Sequence, residues 1–200
     1  MKGIYAILDE NNYNFDDLDN IVFKMIKKNI NIFQIRIKST FNDSHIKTIK
    51  KVKLVCDTHK STLVLNDNIN IVNELNIDGV HIGSNDIDIS SARNFLGKNK
   101  IIGVSCYNDI KLSLFAQNNH ASYVSFGSLY NTSTKINAID LDENTFLSAK
   151  KILNIPICLI GGINSDNIHY VIKLNSDLIA LSKGLSSDDK VEYISNAYYE

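Results

Sequence analysis

Residues 123–135 combine the side chains that a phosphate site requires. They read Tyr-Val-Ser-Phe-Gly-Ser-Leu-Tyr-Asn-Thr-Ser-Thr-Lys, an apolar run that passes through Gly127 into hydroxyls and ends at Lys135. Hydroxyl and backbone N–H groups can surround phosphoryl oxygens, an ammonium group supplies positive charge, and a glycine allows close approach of the backbone. The segment therefore predicts an anion site that includes Thr132, Thr134 and Lys135. On this segment alone, an ordinary polar loop that contains a lysine is an equal alternative.

Residues of similar chemistry lie at the ends of the other short apolar runs of the chain or directly after them. They are Gln34, Arg36, Lys38, Asn66, Asp67, His81, Asn85, Asp86, Ser105, Gly161, Gly162, Ser182, Lys183 and Gly184. Amides, hydroxyls and lysines can bind phosphoryl oxygens, and the carboxylates of Asp67 and Asp86 can bind Mg²⁺, so the set suggests a Mg²⁺-bound diphosphate. Each residue also has a simpler explanation: Asp67 as a helix N-cap, the paired glycines as a tight turn, Gln34 and Lys38 as solvated side chains.

The elements that must position these residues alternate between strand and helix. Eight short apolar runs predict strands at residues 4–8, 32–35, 63–65, 79–82, 101–104, 123–126, 156–160 and 178–181. The segments between them carry apolar residues at steps of three and four, which indicates helices. Two examples are the set Leu18, Ile21, Val22, Met25 and Ile26 and the set Ile46, Ile49, Val52, Leu54 and Val55.

Apolar strands separated by helices predict a parallel sheet with helices on its faces. Eight such units in 200 residues, about 25 residues each, favour a compact, single-domain (β/α)8 TIM barrel over residues 1–200. The alternative is a doubly wound open sheet, but its phosphate-binding fingerprint, G-x-G-x-x-G, is absent after the first apolar run. In a barrel the carboxyl ends of the strands form one rim, so the polar residues would share one site.

The composition argues against several other classes of protein. The net charge of −1 provides no field to attract nucleic acid or an anionic membrane, and no apolar span near 18 residues predicts a membrane helix. Three widely spaced cysteines without a C-x-x-C pair suggest neither a disulfide framework nor a zinc site. We therefore expect a cytoplasmic protein that acts on small molecules; whether it forms a homo-oligomer stays open.

Six motifs, taken in order and spacing, resemble those of the thiamine phosphate synthase family. They are Gln34-Ile-Arg-Ile-Lys38, Leu65-Asn66-Asp67, Gly79-Val-His-Ile-Gly-Ser-Asn-Asp86, Ile102-Gly-Val-Ser105, Thr132-Ser-Thr-Lys135 and Ile160-Gly-Gly-Ile163. Each motif alone is weak, but six in sequence are specific. The resemblance implies a (β/α)8 barrel that acts as a Mg²⁺-dependent transferase of thiamine biosynthesis. Such an enzyme joins 4-amino-2-methyl-5-hydroxymethylpyrimidine diphosphate to hydroxyethylthiazole phosphate, or to its carboxylated form, and releases pyrophosphate.

The resemblance also implies roles for individual residues. Asp67 and Asp86 would bind Mg²⁺, and Ser105 and Lys135 would be catalytic. The substrate-binding residues would be Gln34, Arg36, Lys38, Asn66, Ser105, Thr132, Thr134, Lys135, Gly162, Ser182 and Lys183. Among these, the threonines, Gly162, Ser182 and Lys183 would contact the thiazole phosphate.

The sequence departs from the family pattern at a few positions. Ser84 stands where glutamine is usual, Tyr107 where histidine is common, and Ser128-Leu129 where Gly-Pro is frequent. The eighth run ends in Leu181-Ser182-Lys183 where an Ile-Ser or Val-Ser pair is usual. The last departure falls in the thiazole-phosphate site, at Ser182 and Lys183.

Two other functions compete with the synthase. A thiazole tautomerase shares the barrel but transfers a proton, so it would need a general acid or base, and Tyr107 replaces the histidine that would suit that role. The Asn66-Asp67, Asp86 and Thr-x-Thr-Lys set favours the synthase, because a tautomerase has no diphosphate to bind. The departures at Ser84 and at 181–183 motivate the other alternative, a non-catalytic barrel that binds a phosphorylated metabolite.

Overall fold

The computed structural model describes residues 1–83, 88–130 and 142–200. Its eight parallel strands close into a barrel in the order β1-β2-β3-β4-β5-β6-β7-β8. The strands are β1 Gly3–Asp9, β2 Ile32–Arg36, β3 Thr62–Asn66, β4 Gly79–Ile82, β5 Ile101–Tyr107, β6 Tyr123–Phe126, β7 Ile157–Ile160 and β8 Leu178–Leu181. The predicted (β/α)8 barrel is therefore confirmed. The assignment of residues 1–200 to a single domain stays a prediction.

Each strand is followed by a helix that covers the outside of the barrel. The helices are α1 Leu18–Ile26, α2 Asp43–His59, α3 Ile69–Glu74, α4 Ile89–Leu96, α5 Ile110–Asn118, α6 Glu143–Ile152, α7 Ile168–Lys173 and α8 Asp188–Tyr199. Short 3-10 helices lie at Phe15–Asp17 and Lys183–Leu185. Several helices begin at a residue whose side chain accepts hydrogen bonds from first-turn N–H groups, namely Asn42, Asn68, Asp88, Asp109, Asp142 and Ser187.

The strand residues alternate between two apolar layers. Ile4, Ala6 and Leu8 of β1 pack in the large layer shared with the helices, whereas Tyr5 and Ile7 pack in a smaller cluster made of strand residues. The buried members of that smaller cluster are Tyr5, Ile7, Ile32, Tyr123, Cys158, Leu178 and Ala180. Because successive side chains of a strand point to opposite faces, the smaller cluster fills the barrel interior.

Three local predictions are corrected by the structure. The fifth strand continues past residue 104 to Tyr107, with a register shift between Ser105 and Tyr107. Asp67 does not cap the third helix; it has a left-handed backbone (φ 63°), and the cap is Asn68, whose side chain accepts from Ile71 N–H. Leu54 on α2 is 68% exposed, because the buried stripe of that helix is Ile49, Val52 and Cys56. Among the described residues, no helix is both long and apolar enough to span a membrane.

Candidate active site

The alternation that places Tyr5 and Ile7 inside the barrel also brings polar residues to its carboxyl-terminal rim. Asp9 follows Ile7 on the same face of β1 and lies opposite Arg36 in the register of β1 and β2. Asn66 of β3 lies opposite His81 of β4 in the same way. The rim is therefore assembled from side chains that are distant in sequence but adjacent in register.

The described part of the rim carries an ion pair between two predicted site residues. The Lys38 ammonium donates to a carboxylate oxygen of Asp67, and both side chains keep access to solvent. Asn66 lies next to Asp67, and its Nδ2 is buried with no hydrogen-bond acceptor in the described part of the chain. A buried amide donor without a partner is costly in an apolar setting, so this atom is suited to bind an acceptor supplied by a ligand.

Arg36 is held by a buried carboxylate. Asp9 is 3% exposed, and its Oδ2 accepts a hydrogen bond from Arg36 Nη1. Its other oxygen accepts from the backbone N–H and the side-chain Nδ2 of Asn11, each at 3.0 Å. Because the Asp9 carboxylate is bonded on both oxygens, it can stay buried and hold the guanidinium in one place.

Glu10 organises the loop that follows β2. Its carboxylate accepts from the backbone N–H groups of Lys38 (2.5 Å) and Ser39 (2.7 Å) and from Ser39 Oγ (2.6 Å). Partial desolvation opposes ionisation, but the bonds from Ser39 and from Lys38 N–H outweigh it and lower the pKa of Glu10. The Lys38 backbone is therefore tied to the residue that directly follows β1.

A chain of hydrogen bonds crosses the barrel interior beneath the rim. Gln34 Nε2 donates to the Tyr5 hydroxyl (2.7 Å), which bonds the Tyr123 hydroxyl (2.9 Å). The Tyr123 hydroxyl bonds His81 Nδ1 (2.9 Å), and His81 Nε2 bonds Ser105 Oγ (2.9 Å). The chain thus connects two predicted site residues, Gln34 and Ser105, through three side chains that reach across the barrel.

Burial keeps the two phenols of this chain uncharged. Desolvation raises the pKa of Tyr5 well above its usual range, although hydrogen bonds with Tyr123 and Gln34 oppose the rise. Desolvation likewise raises the pKa of Tyr123, with a further contribution from Tyr5. Both side chains are therefore neutral hydroxyls at neutral pH, able to donate and accept hydrogen bonds.

The Tyr123 ring occupies space that a glycine on the neighbouring strand leaves open. A Cβ at Gly103 would lie 2.1 Å from Tyr123 Cζ, so alanine should displace the ring and break its hydrogen bonds. We expect Gly103→Ala to lower the free energy of unfolding by about 3 kcal/mol or more, measured by denaturant titration. Gly97→Ala is the control: its φ is 77° but nothing lies within 4 Å. It should cost about 1–2 kcal/mol. Equal losses would contradict the ring contact.

The loops after β7 and β8 meet at the opposite side of the rim. Gly161 (φ 110°) packs against Ser128, because a Cβ at Gly161 would lie 2.1 Å from Ser128 Oγ. Ser128 Oγ itself donates to Tyr130 O (2.6 Å). Gly162 (φ 65°) follows, and its carbonyl accepts from Asn167 Nδ2 at 3.0 Å. Ser182 accepts from Asn12 Nδ2 on Oγ (3.0 Å) and from the Tyr13 hydroxyl on its carbonyl (2.9 Å).

Several predicted residues lie outside the described residues. They are Asp86, Thr132, Thr134 and Lys135, together with Ser84 and Asn85. Seven of the described residues lie at or just beyond the carboxyl ends of strands, namely Arg36, Lys38, Asn66, Asp67, Gly162, Ser182 and Lys183. Gln34 lies within β2 and Ser105 within β5. In residues 1–83, 88–130 and 142–200, no group of three or more His, Cys, Asp and Glu side chains is placed to hold a metal.

Sequence reasoning missed four residues that organise this site, namely Tyr5, Asp9, Glu10 and Tyr123. Tyr5 and Asp9 share the inward face of β1 with Ile7, so the period of two along residues 5–9 was the available signal. Glu10 had no signal of its own, because its role depends on the loop that folds against it.

Comparison with known proteins decides the family. The family described as thiamine monophosphate synthase matches residues 4–185. The chain belongs to the thiamine monophosphate synthase family. Among its relatives, the thiamine-phosphate synthase of Nitrosomonas eutropha is 34% identical over 192 residues, which is 96% of this chain and 90% of that protein. The thiamine-phosphate synthase of Clostridium acetobutylicum is 35% identical over 94% of this chain and 89% of that protein.

Membership of the thiamine monophosphate synthase family confirms the resemblance found in the sequence and the expectation of an enzyme. The fold agrees: the thiamine phosphate pyrophosphorylase of Pyrococcus furiosus superposes with a TM-score of 0.86 at 23% identity, covering 98% of this chain and 94% of that one. At this identity the superposition bears on the fold alone. The rim described above is therefore the carboxyl-terminal face of a thiamine monophosphate synthase barrel, the face on which TIM-barrel enzymes place their active sites.

Proposed function

We propose that this protein is a thiamine phosphate synthase that couples 4-amino-2-methyl-5-hydroxymethylpyrimidine diphosphate with hydroxyethylthiazole phosphate or its carboxylated form. The observation that supports this most is the grouping of Lys38, Asp67 and Asn66 at one point of the rim, where Asn66 Nδ2 has no hydrogen-bond partner among the described residues. A cation, a hard anionic ligand and an amide donor are the groups that a metal-bound diphosphate requires. Ser105 adds a hydroxyl from the end of β5, held by His81.

The donors on this rim fit Mg²⁺ better than a softer metal. Mg²⁺ prefers oxygen ligands and is commonly bound through one or two carboxylates together with substrate phosphates, so a complete protein cage is not required. Asp67 offers such a carboxylate, and the sequence assigns Asp86 as the other. Bound there, Mg²⁺ would neutralise charge on the departing pyrophosphate. Lys38, which neutralises Asp67 in this structure, would then be able to bind a phosphoryl oxygen.

We assign the thiazole phosphate to the loops after β7 and β8. Barrel enzymes frequently bind phosphate between these two loops, next to a short extra helix, and here residues 183–185 form a 3-10 turn directly after β8. A Cβ at Gly184 would lie 2.5 Å from Ile163 O, which indicates that the two loops are in contact. Gly162, Ser182 and Lys183 therefore frame one binding region, and Thr132 and Thr134 are assigned to it from the sequence.

In the proposed reaction the thiazole nitrogen attacks the pyrimidine methylene carbon as the bond to the diphosphate oxygen breaks. The aminopyrimidine delocalises positive charge at that carbon, so the protein needs no nucleophilic side chain. Its contribution is to hold the two substrates in line and to stabilise charge on the leaving group through Lys38, Ser105 and Lys135. The described site accordingly contains positioning and charge-stabilising groups.

A coupling assay tests this function directly. The protein is mixed with both substrates and Mg²⁺, and thiamine phosphate is detected after conversion to fluorescent thiochrome. Omission of either substrate or of Mg²⁺ should abolish the signal. Rapid isomerisation of the carboxylated thiazole phosphate alone, without coupling, would identify a tautomerase instead. Tight binding of thiamine phosphate in calorimetry without any product would identify a non-catalytic phosphometabolite-binding protein.

Lys183 provides a test of the thiazole-phosphate assignment. If main-chain N–H groups carry this phosphate, Ser182→Ala should be nearly silent. Lys183→Ala should raise the KM for the thiazole phosphate by about twofold to fivefold at low salt, because an ammonium facing a dianion across solvent contributes little. The difference in KM between wild type and Lys183→Ala should become smaller at high salt. Identical KM values for wild type and Lys183→Ala at both salt concentrations would place the Lys183 ammonium away from the phosphate.

A further inference from the structure

The hydrogen-bond chain beneath the rim takes its direction from the orientation of the Gln34 carboxamide, whose Nε2 faces Tyr5. Gln34 is 2% exposed, and its Nε2 can only donate, so the Tyr5 hydroxyl oxygen accepts there. The Tyr5 hydroxyl has one proton of its own, and among the described residues its other partner is the Tyr123 hydroxyl. The Tyr5 proton must therefore be donated to Tyr123, or remain buried without an acceptor.

The same reasoning continues to the other end of the chain. Tyr123 accepts from Tyr5, so its proton goes to His81 Nδ1, which must be the unprotonated ring nitrogen. A His81 ring that carries a single proton then has it on Nε2 and donates it to Ser105 Oγ. Among the described residues Ser105 Oγ has no other hydrogen-bond partner, so its own O–H is left to donate to a ligand. The Gln34 carboxamide, with Nε2 directed at Tyr5, directs its carbonyl oxygen the other way.

We propose that Tyr5, Tyr123 and His81 are positioning residues that fix the hydrogen-bond polarity of the site. They hold His81 as the Nε2–H tautomer, make Ser105 a donor, and make Gln34 Oε1 an acceptor. The consequence of this polarity for substrate specificity rests on the proposed function, because that function supplies the identity of the ligand. Ser105 O–H donates to an anionic oxygen of the diphosphate, and Gln34 Oε1 accepts from the exocyclic amino group of the pyrimidine.

The opposite polarity is disfavoured by the chemistry of the ligand. If the Gln34 amide were turned over, each bond of the chain would reverse, and Ser105 would donate to His81 and face the rim with lone pairs. Lone pairs that face phosphoryl oxygens repel them. Gln34 would then present an NH₂ group to the pyrimidine, which suits a ring carbonyl and not an amino group. The polarity of the chain is therefore a device that selects the 4-amino over the 4-oxo pyrimidine.

The tautomer is measured on the ligand-free, full-length protein, so this part of the test needs no activity. Protein labelled with ¹⁵N-histidine is studied by two-dimensional ¹H–¹⁵N NMR of the ring nitrogens, and His81→Asn identifies the His81 signals by their loss. We expect the pattern of an Nε2–H tautomer, and a mixture of tautomers in Tyr123→Phe, which keeps the ring against Gly103 but removes the hydroxyl. A wild-type Nδ1–H tautomer would overturn the proposal, whether or not the protein couples the two substrates.

The specificity arm compares kcat/KM for the 4-amino pyrimidine diphosphate and its 4-oxo analogue. A site built to accept from the amino group should prefer it by about 10²-fold or more. Tyr5→Phe frees the Gln34 amide to turn over, so the preference should fall by about tenfold or more. Tyr170→Phe, which removes an exposed hydroxyl bonded to Glu143, is the control and should keep the wild-type ratio. An unchanged ratio in a folded Tyr5→Phe protein would refute the role of the chain.

Discussion

Replacing Asp67 by asparagine should lower the turnover of the coupling reaction by roughly 10²-fold or more, because Mg²⁺ requires hard anionic oxygen ligands and stabilises the leaving pyrophosphate. The fold should survive. Asp67 has a left-handed backbone (φ 63°), which asparagine adopts at least as readily as aspartate. The substitution also removes the negative charge that Lys38 neutralises, which leaves the Lys38 ammonium able to bind a phosphoryl oxygen. Substrate affinity should therefore change less than turnover. Turnover is measured by the thiochrome assay over a range of Mg²⁺ concentrations.

Asp57→Asn is a matched control for this experiment. Asp57 also pairs with a lysine, Lys53, but it lies on α2 and outside the rim. An effect of removing any lysine–carboxylate pair would appear in both variants, whereas an effect of the site would appear at Asp67 alone. Wild-type turnover in Asp67→Asn at every Mg²⁺ concentration would remove the metal assignment, and with it much of the support for Asp86.

Lys135→Ala should reduce turnover by roughly 10²-fold or more, in line with the loss of one preorganised group that stabilises developing charge. Lys135 is assigned from the sequence, where it closes the Thr132-Ser-Thr-Lys135 motif. Lys151→Ala on the exposed side of α6 is the control and should be silent. A loss confined to the KM for the thiazole phosphate, with kcat unchanged, would instead place the Lys135 ammonium on the other substrate.

The barrel could be predicted because each strand is a short apolar run, and because the segments between the strands carry apolar residues at the three- and four-residue spacing of a helix. All eight strands lie where the runs predicted them, and the errors are local. Residues 105–107 continue β5 although Ser105 and Tyr107 are not apolar, because their backbone pairs with Ser125 and Phe126 of β6. Leu54 was grouped with the buried residues of its helix, yet the buried stripe turns toward Cys56. Such details depend on neighbouring elements that a local pattern does not contain.

The site could be predicted only where the type of a residue indicates a chemical role by itself. Gln34, Lys38, Asn66 and Asp67 could be identified as polar residues at the ends of apolar runs. Lys38, Asn66 and Asp67 lie at one rim, and Gln34 lies just beneath it. Tyr5 and Tyr123 were not visible, because an aromatic residue in a strand normally indicates packing. Their 2.9 Å contact joins residues 118 positions apart and depends on closure of the barrel. No local feature of the sequence encodes that contact.

The departures from the family pattern have different structural settings. Ser128 stands where glycine is frequent, and its side chain packs against Gly161 while its hydroxyl bonds Tyr130 O. Tyr107 ends β5 with a left-handed backbone (φ 54°), and the residue is 40% exposed. Ser128 is therefore packed within the rim, whereas the Tyr107 side chain is partly exposed at the edge of the rim.

The placement of the site is tested most directly by a crystal structure of the protein grown with Mg²⁺, pyrophosphate and thiamine phosphate. The proposal predicts pyrophosphate beside Lys38, Asp67 and Ser105, and the phosphate of thiamine phosphate beside Gly162 and Ser182. A polar groove of about 680 Å³ at the other end of the barrel, which includes Lys60 and Lys100, offers a competing position. Phosphoryl groups bound in that groove, with none at the rim, would contradict the account.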